Sequence, residues 1–117
     1  MKAVLLVSHG SQSSKTEREI AALTEKLRQR SDIKIFEYAF LEIQKPDIPQ
    51  GLDLCVKKGA TEIIVLLNFL NSGKHVDQDI PRIIHAAREK YPHISISQTK
   101  PIGQHEKIVD LFLNLLE

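Results

Sequence analysis

The sequence predicts an α/β fold, a small open four-stranded parallel sheet flanked by helices, in a single domain over residues 1–117. Three observations carry that prediction. Apolar periodicity switches between short strand-length runs and the three- and four-residue spacing of a helix, four times in succession. The runs are close to continuous rather than alternating, which is the pattern of strands buried on both faces, and such strands joined through helices form parallel sheets. No linker or low-complexity tract interrupts the series, and 117 residues fit one domain with its own core.

The elements follow in order. Ala3 to Val7 is an uninterrupted apolar run of strand length. Lys15 to Arg30 places Ile20, Leu23 and Leu27 on one helical face. Ile33 to Phe40 is rich in aromatic and β-branched residues and reads as the second strand. Ile48 to Lys58 is a helix with Pro49 in its first turn and Gly59 closing it. Glu62 to Leu67 is the third strand. Asp79-Ile-Pro81 supplies a capping Asp and a first-turn Pro for a helix bearing Ile83, Ile84, Ala87 and Tyr91 that stops before Pro92. Ile94 to Thr99 is the fourth strand, and Gln104 to Leu116 is an amphipathic helix bearing Ile108, Leu111, Phe112 and Leu115.

Composition narrows the function. Sixteen Lys and Arg face fifteen Asp and Glu, a net charge of +1, so no basic excess points to nucleic acid or an anionic membrane. No apolar run approaches the roughly 18 residues that span a bilayer, and the apolar segment of MKAVLLVSHGS is too short for a signal peptide. The lone Cys55 excludes an intrachain disulfide and reads as a small core side chain. A soluble protein of the reducing cytoplasm is expected.

Ligands of open parallel sheets bind beyond the carboxyl ends of the strands. Four segments leave those ends here: Ser8 to Gln12, Leu41 to Pro46, Asn68 to Asp77 and Lys100 to His105. They hold His9, His75 and His105, three of the five histidines, together with Glu42. Neutral imidazoles and one carboxylate hold a divalent transition ion while leaving positions open for exchange, as a catalytic site requires. Plainer readings stand beside this one. His9 fits a hydrogen-bonded turn histidine, His75 an exposed loop residue, Glu42 a salt bridge to Lys45, and His105 a neutral ring in the first turn of the last helix. His85 and His93 read as surface residues. Phosphate chemistry is a weaker reading: neither GxxxxGK[ST] nor GxGxxG occurs, and the serines at 8, 11, 13 and 14 fit a helix cap as well as an anion site.

Four segments together resemble the small single-domain sirohydrochlorin chelatases, class II chelatases that include the cobaltochelatases and ferrochelatases of cobalamin and sirohaem synthesis. They are Val7-Ser-His-Gly-Ser11, Ala39-Phe-Leu-Glu-Ile-Gln44, Phe69 to Val76 followed by Asp79-Ile-Pro81, and Pro101-Ile-Gly-Gln-His105. The resemblance spans nearly the whole chain and implies a chelatase-like (βα)4 domain that inserts a divalent metal, cobalt or iron or nickel, into a tetrapyrrole without an organic cofactor. It implies that His9 and His75 hold the metal and that Glu42 assists in binding it or in removing protons. Ser11, Lys45, Asn71, Ser72, Gly73 and Lys74 become candidate contacts to the macrocycle. Relatives often carry Pro where Asn68 stands. Larger members hold two such domains around a cleft, so a homodimer is the expected state of a lone domain. The alternative is a carrier that binds metal or tetrapyrrole without turnover.

Overall fold

A computed structural model describes residues 1–117. All four predicted strands form, as β1 (Lys2–Ser8), β2 (Ile35–Phe40), β3 (Glu62–Leu67) and β4 (Ser95–Gln98). They pair in the order β2-β1-β3-β4, and every pair is parallel. Between and after them run α1 (Ser14–Arg30), α2 (Ile48–Lys57), α3 (Ile80–Lys90) and α4 (Ile108–Asn114). Register aligns the exits: Val7 of β1 stands opposite Ala39 of β2 and Leu67 of β3. The segments that follow these three strands therefore emerge side by side. The chain moves outward from β1 to β2, then back across β1 to β3, so the order reverses between β1 and β3, where a crevice opens in such folds.

The two faces of the sheet are covered unequally. Ala3, Leu5 and Val7 of β1 and Ile63, Val65 and Leu67 of β3 join Ile48, Leu52, Cys55, Ile80 and Ile84 of α2 and α3 in one buried cluster. The α2 backbone lies close on this face. A Cβ at Gly51 would stand 2.7 Å from Leu5 Cδ1 and 3.0 Å from Ala39 Cβ, so glycine permits the approach. On the other face, where Val4, Leu6 and Phe40 are buried, α1 packs on β2. On that face Ile64 and Leu66 of β3 remain only half-buried.

Local chemistry explains the element ends. Ser13 caps α1, its hydroxyl accepting from Lys15 N, and Arg28 and Arg30 occupy the last turn where cations suit the dipole. Asp47 and Gln50 form a reciprocal capping box at α2, with Pro49 in the first turn as expected and Gly59 just past the end at φ 102°. Along α1 the buried stripe is rotated from the predicted one: Thr24 is buried, its hydroxyl donating to Ile20 O at 2.7 Å, while Leu23 is exposed.

Three expectations change. The last helix does not run from Gln104 to Leu116. A 3-10 turn at Ile102–Gln104 precedes a shorter α4, and Val109, Leu111, Phe112 and Leu113 of α4 and Leu115 and Leu116 just after it are exposed rather than packed on the sheet. His105 ends the 3-10 turn instead of starting the helix, and its Nδ1 accepts from Lys107 N at 3.0 Å. Asp79 makes no capping hydrogen bond to α3, because a π-helical turn at His75–Asp79 runs directly into that helix. Pro81 offers a reason. It has no N–H to donate back along the helix and its ring crowds the preceding turn, so a regular α-helical entry is disfavoured.

Candidate metal centre

The first two exit loops are fastened to each other. Leu41 N donates to Ser8 O at 2.9 Å and Glu42 N to His9 O at 3.0 Å. Ser11 N donates to Gln44 Oε1 at 2.8 Å, and Gln44 Nε2 to Ser13 O at 3.2 Å. At the centre of this contact a Cβ on Gly10 would lie 2.0 Å from Glu42 O, and the residue sits at φ 109°. Only glycine meets both conditions. Next to Glu42, Gln44 N closes back on Glu42 O at 2.7 Å across Ile43, whose φ of 72° is rare for a β-branched residue. Such conformations persist where their surroundings over-determine them, commonly beside functional groups.

The third loop joins the first through Asn68, which answers why an amide stands at this strand end. Its backbone N–H donates to Val7 O at 2.9 Å and its side-chain Nδ2 to Ser8 Oγ at 3.0 Å. A proline there could make neither bond. The third loop also meets the fourth: Gly103 N donates to Phe69 O at 3.0 Å, Gln104 Nε2 to Leu70 O at 3.3 Å, and a Cβ on Gly103 would lie 1.9 Å from Leu70 O.

These connections bring His9, Glu42 and His75 together. One ligand atom from each lies within 4.8 Å of the other two. His9 Nε2 stands 3.3 Å from Glu42 Oε2, and the His9 and His75 rings are 5.3 Å apart between centroids. Ligand atoms each about 2.1 Å from one ion lie roughly 3–3.5 Å apart, so His9 and Glu42 already have the spacing of a bound pair. His9 and Glu42 are about half exposed, so this cluster stands open to solvent. The Glu42 salt bridge to Lys45 is not made: Glu42 faces His9, while Lys45 Nζ pairs with Asp47 Oδ2 at 3.1 Å.

Asn71, Ser72, Gly73 and Lys74 form an exposed stretch ahead of His75. A Cβ at Gly73 would meet nothing within 4 Å, so this part of the loop borders open space. Ser11 is part of the first loop, its hydroxyl accepting from Ser13 N. His105 is outside the trio and lines a separate hollow with Leu66, Thr99, Pro101 and Ile102. His85 pairs with Glu89 on the surface, as expected. Sequence reasoning missed Asp79 as a site neighbour: Asp79 Oδ2 stands 2.8 Å from His75 Nδ1. The signal was present in the i, i+4 spacing of His75 and Asp79, but a capping role accounted for the same Asp.

Comparison of the sequence with known proteins shows its family. The CbiX family model matches residues 3–117. The chain belongs to the CbiX family. Among CbiX relatives it is similar to the sirohydrochlorin ferrochelatase of Bacillus subtilis (strain 168), 40% identical over 108 residues, which is 92% of this chain and 41% of that protein. It is also similar to the sirohydrochlorin cobaltochelatase of Priestia megaterium, 37% identical over 119 residues, 100% of this chain and 38% of that protein. The sirohydrochlorin chelatase SirB from Bacillus subtilis subspecies spizizenii, solved in complex with cobalt, superposes with a TM-score of 0.90 at 39% identity, over 98% of this chain and 49% of that one. The chain thus spans less than half the length of each of these relatives.

Proposed function

We propose that this CbiX chain is a sirohydrochlorin chelatase that inserts cobalt(II), iron(II) or nickel(II) into the macrocycle, in cobalamin or sirohaem synthesis, in the cytoplasm. The observation that carries the reading is the convergence of His9, Glu42 and His75 at the reversal point of the sheet. Two imidazoles and one carboxylate suit a borderline divalent ion without enclosing it, and an ion held from one side can be passed to four ring nitrogens on the other. The names of the similar proteins, a ferrochelatase and a cobaltochelatase of sirohydrochlorin, support the substrate.

Insertion releases two protons as the metal enters: the two central N–H bonds break and the nitrogens keep the electron pairs for the ion. Glu42 and His9, side by side, are the acceptors on the reacting face. The ring periphery bears carboxylates, and Lys45, Lys74, Ser11, Asn71 and Ser72 are polar groups available to them around the opening. Gly73 leaves room for the ring edge. No organic cofactor is required for this chemistry. A second unit of the same kind, as a homodimer, would close the open side of the site.

The test is an anaerobic spectrophotometric assay with sirohydrochlorin and each of the three ions. Metal-dependent acceleration over the no-enzyme rate is expected, and His75→Ala lowers it by at least about 100-fold while the fold is kept. A spectral shift on mixing with the tetrapyrrole, without acceleration, would instead identify a carrier.

A further inference from the structure

The His75 ring is not free to choose its own orientation. Its Nδ1 is 2.8 Å from Asp79 Oδ2, and no protein group bonds its Nε2. Asp79 is largely buried, its side chain 23% exposed, and its other oxygen lies 3.8 Å from Arg82 Nη1. As a helix-capping residue Asp79 contributes nothing, since its carboxylate accepts no backbone N–H. The π-helical turn closes with Ile80 N donating to His75 O, which encloses both residues in one wide turn and holds their side chains on the same side. Such turns are uncommon and concentrate at functional sites. A carboxylate can only accept, so the hydrogen between the two groups is on Nδ1, and the lone pair of the neutral ring is on Nε2.

We propose that Asp79 is a positioning residue for metal handling: it fixes His75 as the Nδ1–H tautomer and sets its ring rotation, so that the Nε2 lone pair is presented to the ion shared with His9 and Glu42. Outer hydrogen bonds of this kind orient metal-binding imidazoles and raise their basicity, and their loss commonly weakens metal affinity by about 10–100-fold. The inference rests on His75 being a metal ligand, as the proposed function holds.

Two readouts test it without turnover. Long-range proton–nitrogen NMR of the metal-free protein at a pH where His75 is neutral reports which of its ring nitrogens carries hydrogen. Cobalt(II) titration followed by the absorption of the bound ion reports affinity. The parent is expected to show Nδ1–H at His75. Asp79→Ala is expected to give a mixture of tautomers and about 10–100-fold weaker cobalt binding, while Arg82→Ala leaves the tautomer in place. An Nε2–H tautomer in the parent would overturn the inference without needing any variant to fold. So would unchanged tautomer and affinity in a folded Asp79→Ala protein. His75→Ala separates the two ideas: if it binds cobalt as tightly as the parent, the metal-ligand reading itself fails. If it loses cobalt while Asp79→Ala does not, only the role of Asp79 falls.

Discussion

The side chains of Glu42 and Cys55 show how far surroundings decide what a residue does. Glu42 lies in an apolar stretch of sequence, with Lys45 three residues on as the obvious partner, yet the structure gives it His9. The reason is the backbone: loop hydrogen bonds place Glu42 beside His9, while the turn over Ile43 sends Lys45 toward Asp47. An isoleucine gives no signature of such a turn or of a positive φ, so this pairing was not legible. His9, Glu42 and His75 were legible as candidates because each stands just past a strand end, and the parallel register does the rest. Asp79 was misassigned because a capping Asp before Ile-Pro is locally sufficient, whereas its contact with His75 requires a π-helical turn. Cys55 was legible as core. It is fully buried, and that burial pushes its thiol up to about 12, far from any reactive range. Iodoacetamide at pH 8 is therefore expected to leave the native protein unlabelled and to label it once urea unfolds it; stoichiometric native labelling, read by intact-mass spectrometry, would contradict the buried placement.

At the scale of elements, the order of strands and helices was fully readable and their ends less so. Continuous apolar runs such as Ile63 to Leu67 leave little choice, and the Pro49 and Gly59 signals bracket α2 correctly. The capping box of Asp47 and Gln50 has its own signature in the sequence, an acidic residue followed three positions later by Gln. The C-terminal segment misled because helical spacing of apolar residues promises a helix and says nothing about what it packs on. Glycine contacts are the most exacting feature at this scale. Gly10→Ala combines a positive-φ strain with a Cβ 2.0 Å from a carbonyl, and is expected to cost about 1–3 kcal/mol of stability. The variant should also lose metal insertion, since the Glu42 backbone must retreat. Urea unfolding and the chelatase assay together check this, and a variant with parental stability and turnover would refute the tight loop contact.

The whole molecule measures 47 × 32 × 30 Å, and α4 lies apart from the sheet, packed mainly on the 3-10 turn before it. Its exposed apolar side chains, with Leu115 and Leu116 more than four-fifths accessible, coexist with the half-covered Ile64 and Leu66 on the face that α1 leaves open. Exposed apolar side chains clustered on one segment are what a partner surface can cover. Under the homodimer proposal, Phe112→Asp with Leu115→Asp is expected to convert a dimer to a monomer by light scattering while the far-ultraviolet circular dichroism of the rest is unchanged. A parental monomer would remove the dimer. The loops at the strand ends carry a different lesson. They are joined in pairs, first to second at Gly10 and third to fourth at Gly103, with Asn68 as the stitch between the pairs. For exchange of segments between CbiX proteins, a crossover in α2 inherits each pair from one parent, whereas a crossover in α1 sets one parent's Gly10 against the other's Glu42 loop. Recombination has its natural seam in α2.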